Sequence, residues 1–257
     1  PFDSRWAAAD IRALIASGAD ANASDEWGQT ALMRAASESD DPDVVETLVA
    51  AGADLNCVNQ WGDSALMCAV NTKPENALVL IGAGADVNIA NHDGDTALIR
   101  GTWGVIAEEV FEALIRAGAD LDVENTRGDT ALDRAIRGSM PGIAALLIAG
   151  GANMKPHNVN DLLRVIATAM SQDYDPRVVE ILVGPYSEAN GFTQEQLGLF
   201  IAAATGREPE SMGTHVSVGG PVDMRDRLGR TPLMMSAAYN WDPDMVKVLI
   251  DIGANVG

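Results

Sequence analysis

Apolar residues fall along this chain in short helical stripes, each bounded by polar and turn-forming residues. Val44, Val45, Leu48 and Val49 repeat at the spacing of one helix face, as do Met245, Val246, Leu249 and Ile250 near the other end. Helices of this kind are predicted to start at a proline. Asp41-Pro42, Asp175-Pro176, Glu208-Pro209 and Asp242-Pro243 carry that signal, and Pro74 and Pro141 fill the same slot. Proline suits the first helical position, and neighbouring acids favour the positive end of the helix dipole. Each stripe then stops at Gly-Ala-Asp or Gly-Ala-Asn, whose glycine predicts a left-handed helix cap. A second set of helices starts differently, at Thr30-Ala31-Leu32, Ser64-Ala65-Leu66, Thr96-Ala97-Leu98, Thr130-Ala131-Leu132 and Thr231-Pro232-Leu233. A Ser or Thr hydroxyl there can accept from an orphan first-turn amide, so all five positions are predicted N-caps.

The two kinds of helix alternate with a fixed beat. Gly18, Gly52, Gly84, Gly118, Gly151, Gly184, Gly219 and Gly253 are separated by 34, 32, 34, 33, 33, 35 and 34 residues. A unit that short cannot bury a core alone and must stack on copies of itself. Ahead of each N-cap stands a turn glycine (Gly28, Gly62, Gly94, Gly128, Gly229) suited to positive φ. Residues 157–224 lack this sentence but keep Pro176, Gly184, Pro209 and Gly219, so they are read as two degenerate repeats. Thr193 to Gln196 offers a capping box there. Gly213, with the β-branched Thr214, Val216 and Val218, makes the second helix of the sixth repeat poor. That region is expected to open most easily.

The Gly-x-Thr-x-Leu and Gly-Ala-Asp-x-Asn motifs, at this spacing, resemble those of the ankyrin-repeat family over nearly the whole chain. The resemblance implies an all-α solenoid of stacked helix-turn-helix units with short β-hairpin fingers, and binding of proteins through a concave surface of fingers and first helices. The chain is accordingly read as one domain, 1–257. Residues 1–24 form a partial repeat, 25–156 four regular repeats, 157–224 two degenerate repeats and 225–257 a last repeat. The family's histidine after Thr-Pro-Leu is replaced by Met33, Met67, Ile99, Asp133 and Met234, so its bond to the finger backbone must be missing. Both ends look unfinished, and a longer parent protein is expected.

Composition supports a folded core and narrows the partner. Hydrophobic residues make up 47% of the 257, with only 5% aromatic, as thin layers of closely packed helices require. No apolar run reaches the length of a membrane span, so a soluble chain without membrane insertion is expected; its two cysteines leave the compartment open, with the cytoplasm favoured. The net charge is −20, which argues against nucleic acid, whose binding rests on neutralising phosphates. Residues 1–124 hold 22 acids against 6 bases, whereas residues 125–257 hold 15 against 11. A basic partner surface would be steered toward the N-terminal half.

Candidate partner-binding residues follow from the finger positions. Trp27 and Trp61 precede turn glycines, where they can anchor a partner or brace neighbouring fingers. Trp103 and Tyr239, near the ends of first helices, extend that row, Glu26 stands next to Trp27, and Arg127 precedes a turn glycine. Asp63, Asp95 and Asp129 follow them as a carboxylate ladder. They are spaced too widely to share one cation, but they can meet successive basic side chains, or be neutralised internally by Arg34, Arg100 and Arg134. Arg127, Arg137, Arg225, Arg227 and Arg230 suggest a smaller basic area.

No catalytic constellation, cofactor fingerprint or metal-ligand spacing appears. His92, His157 and His215 fall in different repeats, and Cys57 and Cys68 lack metal spacing, Cys68 reading as a small buried hydrophobe. The expected function is a non-catalytic protein-interaction module. Its alternatives are the targeting arm of a larger enzyme or effector, and a scaffold assembling end to end.

Overall fold

The computed structural model describes residues 7–104, 107–154, 162, 164–166, 168, 169, 172, 176–205, 222–239 and 243–256. Thirteen helices are described over their full length. They are α1 (Ala8–Ala16), α2 (Ala31–Glu38), α3 (Pro42–Ala50), α4 (Ala65–Ala69), α5 (Pro74–Gly82), α6 (Ala97–Gly101), α7 (Glu108–Arg116), α8 (Ala131–Arg137), α9 (Pro141–Ala149), α10 (Pro176–Asn190), α11 (Gln194–Thr205), α12 (Pro232–Tyr239) and α13 (Pro243–Asp251). The fold is all-α. Among the described residues the only β pairing is two isolated bridges, Ser24 with Thr30 and Val58 with Ser64, so the fingers are tight turns more than hairpins.

The helix starts and stops are chemical, and the sequence signals hold. Thr30, Ser64, Thr96, Thr130 and Thr231 each accept through Oγ from the backbone N–H three residues on, at 3.1–3.4 Å. At α8 the bond is reciprocal, because the Thr130 N–H donates to Asp133 Oδ2 at 2.8 Å and closes a capping box. Asp41 caps α3 by accepting from the Asp43 N–H at 3.1 Å. At the other end, Gly52 has φ +84°; its N–H donates to Val49 O and the next N–H, of Ala53, to Leu48 O, both at 3.0 Å. That pair of bonds satisfies two of the last carbonyls and turns the chain, and it recurs at Gly18, Gly84, Gly118 and Gly253. The alanine that follows is buried at 53, 85 and 254, packing where Leu48, Leu80 and Leu249 are buried too.

The chain divides into two compact units, residues 1–134 with 150–152, and residues 135–149 with 153–257. In the first, each first helix packs on the next (α2 on α4, α4 on α6), each second helix on the next (α1 on α3, α3 on α5, α5 on α7), and each pair on itself. The core is thin and layered: Leu32, Leu48, Leu66, Leu80, Leu98 and Leu114 are all buried, each from a different helix. In the second unit α9 packs on α10, α11 on α12, and α12 on α13.

One reading of the degenerate stretch is corrected. Gly184 does not end a helix, for α10 continues through Gly184 and Pro185 to Asn190. Leu182 and Tyr186, one turn apart across the glycine and proline, are both fully buried, and that packing outweighs the local breakers. The stop falls at Gly191, φ +67°, with the Gly191 N–H donating to Glu188 O and the Phe192 N–H to Ser187 O. Phe192 then stacks at 4.7 Å from the Phe200 ring. The capping box forms as expected, with Gln196 N–H on Thr193 Oγ1 at 3.3 Å and Thr193 N–H on Gln196 Oε1 at 2.9 Å. Pro209, Gly213 and Gly219 lie outside the described residues.

Candidate protein-interaction site

The fingers of the first unit are built by side-chain amides and carboxylates three residues before each turn glycine. Asn59 Oδ1 accepts the N–H of Trp61 and of Asp63, at 2.9 and 3.0 Å. Asn91 holds Asp93 and Asp95, and Asn125 holds Arg127 and Asp129, in the same way. Asp25 does so for Trp27 and Gln29. In the second unit Asp226 repeats the pattern on Leu228 and Arg230. These are Asx turns, in which a side chain replaces a backbone partner and fixes the loop.

The fingers are then tied to one another. The N–H of Gln60 donates to Trp27 O, that of His92 to Trp61 O and that of Thr126 to Asp93 O, at 2.8–3.0 Å. Beneath them the Nδ2 of Asn91 donates to Asp63 Oδ1 and that of Asn125 to Asp95 Oδ1, both at 2.8 Å. A second ladder runs at the helix ends. The N–H of Asp54 donates to Asn22 Oδ1, that of Asp86 to Asn56 and that of Asp120 to Asn88, at 2.7–2.9 Å. Asn22 also donates through Nδ2 to Gly52 O at 3.2 Å.

This geometry redistributes the predicted site residues. Trp27 and Trp61 project from adjacent fingers, 45% and 51% exposed, and Val58, bridged to Ser64 at the base of the Trp61 finger, is 47% exposed. Glu26, His92, Asp93 and Arg127 are exposed on the same row of fingertips. Trp103, 45% exposed, follows α6, with the Arg134 guanidinium carbon 4.6 Å and that of Arg100 5.7 Å from its ring centroid. Arg134 is held there by its Nε on Thr102 Oγ1 at 3.0 Å. The Tyr239 side chain lies outside the described residues.

The carboxylate ladder is corrected. Asp95 is 1% exposed, with one oxygen occupied by Asn125, so it offers no surface to a partner. Asp63 is buried, bonded to Asn91 and 3.6 Å from Arg100. Asp129 lies 3.7 Å from Arg134. Internal neutralisation by Arg100 and Arg134 is therefore the arrangement found, whereas Arg34 faces Asp25 at 3.6 Å. These acids position the fingers and the arginines beside Trp103; they do not display negative charge. In the second unit Arg230 Nε likewise bonds Asp226 Oδ2 at 2.6 Å, and Arg225 donates to Gly229 O, which consumes part of the expected basic area.

Cys68 occupies the same helix position as Arg34, Arg100 and Arg134. Burial pushes its thiol up to about 11, Asp63 adding to the rise and Arg100 opposing it, so it is a poor nucleophile at neutral pH. The sequence reading missed Val58 and the asparagine ladders. The signal was present: Asp or Asn stands three residues ahead of every turn glycine, at 25, 59, 91, 125 and 226.

A three-copy ankyrin-repeats family model matches residues 7–91, and a single ankyrin-repeat model matches residues 228–257. No curated protein matches the chain. Among the described residues no helix is long and apolar enough to cross a membrane. Ankyrin repeats are generally protein–protein interaction modules and typically non-catalytic. With its Ser/Thr-capped first helices, proline-started second helices and glycine-closed ends, this chain is an ankyrin-repeat protein.

Proposed function

We propose that this protein binds another protein through the fingertips and first-helix ends of residues 25–134, with Trp27, Trp61 and Trp103 as anchors. The observation that carries the reading is a set of half-exposed indoles on a fixed backbone, Trp27 and Trp61 in the finger ladder and Trp103 bonded to Arg100 O at the end of α6, so little ordering is needed on binding. Val58, exposed at the base of the Trp61 finger, adds apolar area. Glu26 and Asp93 give the rim an acidic bias toward a basic partner, and Arg127 supplies a cation at the fourth finger. The buried Asp63 and Asp95 serve as supports.

The test is quantitative capture from native extract by the wild-type chain and by Trp27→Ala/Trp61→Ala, compared by mass spectrometry. The principal binder should be depleted by ten-fold or more, since hot-spot losses of about 2 kcal/mol are typical of such anchors. Equal capture by a folded double variant overturns the site.

A further inference from the structure

The outer face of the first two second-helices carries a groove of about 600 Å³ that the fingertip site does not use. Arg12, Ile15 and Ala16 line it from α1, and Asp43, Glu46, Thr47 and Ala50 from α3 with its C-cap Ala51. These positions are one stripe on each helix, so the groove follows the contact line of a packed helix pair. Arg12 Nη1 donates to Thr47 Oγ1 at 3.1 Å and bridges the two walls.

The groove has three chemical zones. Asp43 and Glu46, both exposed, give one end an excess of acid over the single Arg12. Ile15 and the Thr47 methyl make the middle apolar. Ala16, Ala50 and Ala51 make the other end shallow, and there α1 and α3 both terminate. Neither helix has a basic residue in its last turn, so the negative ends of both dipoles meet no cation of the chain in that turn. Each helix has nine residues, a length of about 14 Å, which an extended peptide covers in about four residues.

From this charge complementarity we infer that the α1–α3 groove docks an extended basic segment of a partner protein: two Lys or Arg residues about four positions apart, with apolar residues between them. One cation meets Asp43 and Glu46, the other the paired helix C-termini, and the apolar side chains cover Ile15. This surface lies on second helices, apart from Trp27, Trp61 and Trp103, so it stands or falls independently of the fingertip proposal.

The test uses the full chain and a fluorescein-labelled peptide, Gly-Lys-Leu-Ala-Leu-Lys-Gly, followed by anisotropy at low salt. A matched peptide with glutamate for lysine is the control. Ala16→Gln/Ala50→Gln fills the exposed shallow end without changing charge, and Asp43→Asn/Glu46→Gln removes the acids. Each pair should raise Kd five-fold or more, Trp27→Ala/Trp61→Ala should leave it unchanged, and the glutamate peptide should not bind. Failure of the lysine peptide to bind overturns the proposal. So does binding unaffected by both groove pairs, which marks diffuse attraction to an acidic protein, or binding lost only in the tryptophan pair. If the filled variant loses helix content, the charge pair alone decides.

Discussion

Replacing Asn91 with alanine tests whether side-chain amides carry the finger array. The substitution removes three bonds at once: the acceptor for the Asp93 and Asp95 N–H groups and the donor to Asp63 Oδ1 at 2.8 Å. Asp93 is exposed, so water can replace its partner at little cost. Asp95 and Asp63 are buried, so theirs are not replaced. A stranded buried donor costs about 1–3 kcal/mol and a bond to a charged group about 1.5–3 kcal/mol, which puts the loss near 3–5 kcal/mol. Urea unfolding followed by far-UV circular dichroism measures it. Gln60→Ala, at an exposed position of the preceding finger, is the control and should stay within about 0.5 kcal/mol of wild type. A double-mutant cycle with Asp63→Ala should return a coupling of about 1 kcal/mol or more for the cross-finger bond. Amide exchange at Asp95 should also accelerate in Asn91→Ala. A loss no larger than that of Gln60→Ala refutes the reasoning, because the fingers would then be held by backbone bonds alone.

Gly62→Ala and Gly52→Ala both force alanine to positive φ, at about 1–2 kcal/mol. Only at Gly62 would the new Cβ also lie 2.9 Å from Asn91 Cα and His92 N, so its loss in urea midpoint should clearly exceed that of Gly52→Ala. Thr96→Ala removes the α6 cap and should cost about 1 kcal/mol by the same assay. Cys68 supplies a pH test. Its folded thiol is raised from 9.0 to about 11, so the folded state keeps a proton that the unfolded chain releases. Its contribution is complete below pH 9.0 and declines as pH rises through about 11, and Cys68→Ala should flatten the stability profile in that window. Alkylation of Cys68 by iodoacetamide should be slow at neutral pH and speed up when the chain is unfolded in urea.

What the sequence revealed and what it hid divide along a physical line. Caps, proline starts and glycine stops act within a few residues, so Thr30, Pro42 and Gly52 could be read directly. The role of Asp63 and Asp95 depends on a side chain's direction relative to the next finger, some thirty residues on, and regular spacing alone cannot give it. The asparagines were overlooked because Asn in a turn looks like ordinary loop composition; only its recurrence three residues before glycine marks a structural part. Gly184 failed as a boundary for the opposite reason. A strong local breaker was overruled by the burial of Leu182 and Tyr186 on either side of it. The exposed tryptophans were legible as candidates, but their stacked arginines were not, since Arg134 reaches Trp103 from the following repeat.

The two ladders also set where the chain can change length. Asn59 and Asn91 stand 32 positions apart, Asn91 and Asn125 34, yet both pairs join neighbouring fingers. The difference is absorbed between paired helices, where Val70–Lys73 gives way to the longer Thr102–Ala107 connection. Insertion of a residue or two should therefore be better tolerated between Trp103 and α7 than between a closing glycine and the asparagine four residues beyond it, where a ladder bond is lost. Growth by whole units, with slack taken up between the cap of a first helix and the start of its partner, keeps every rung in step.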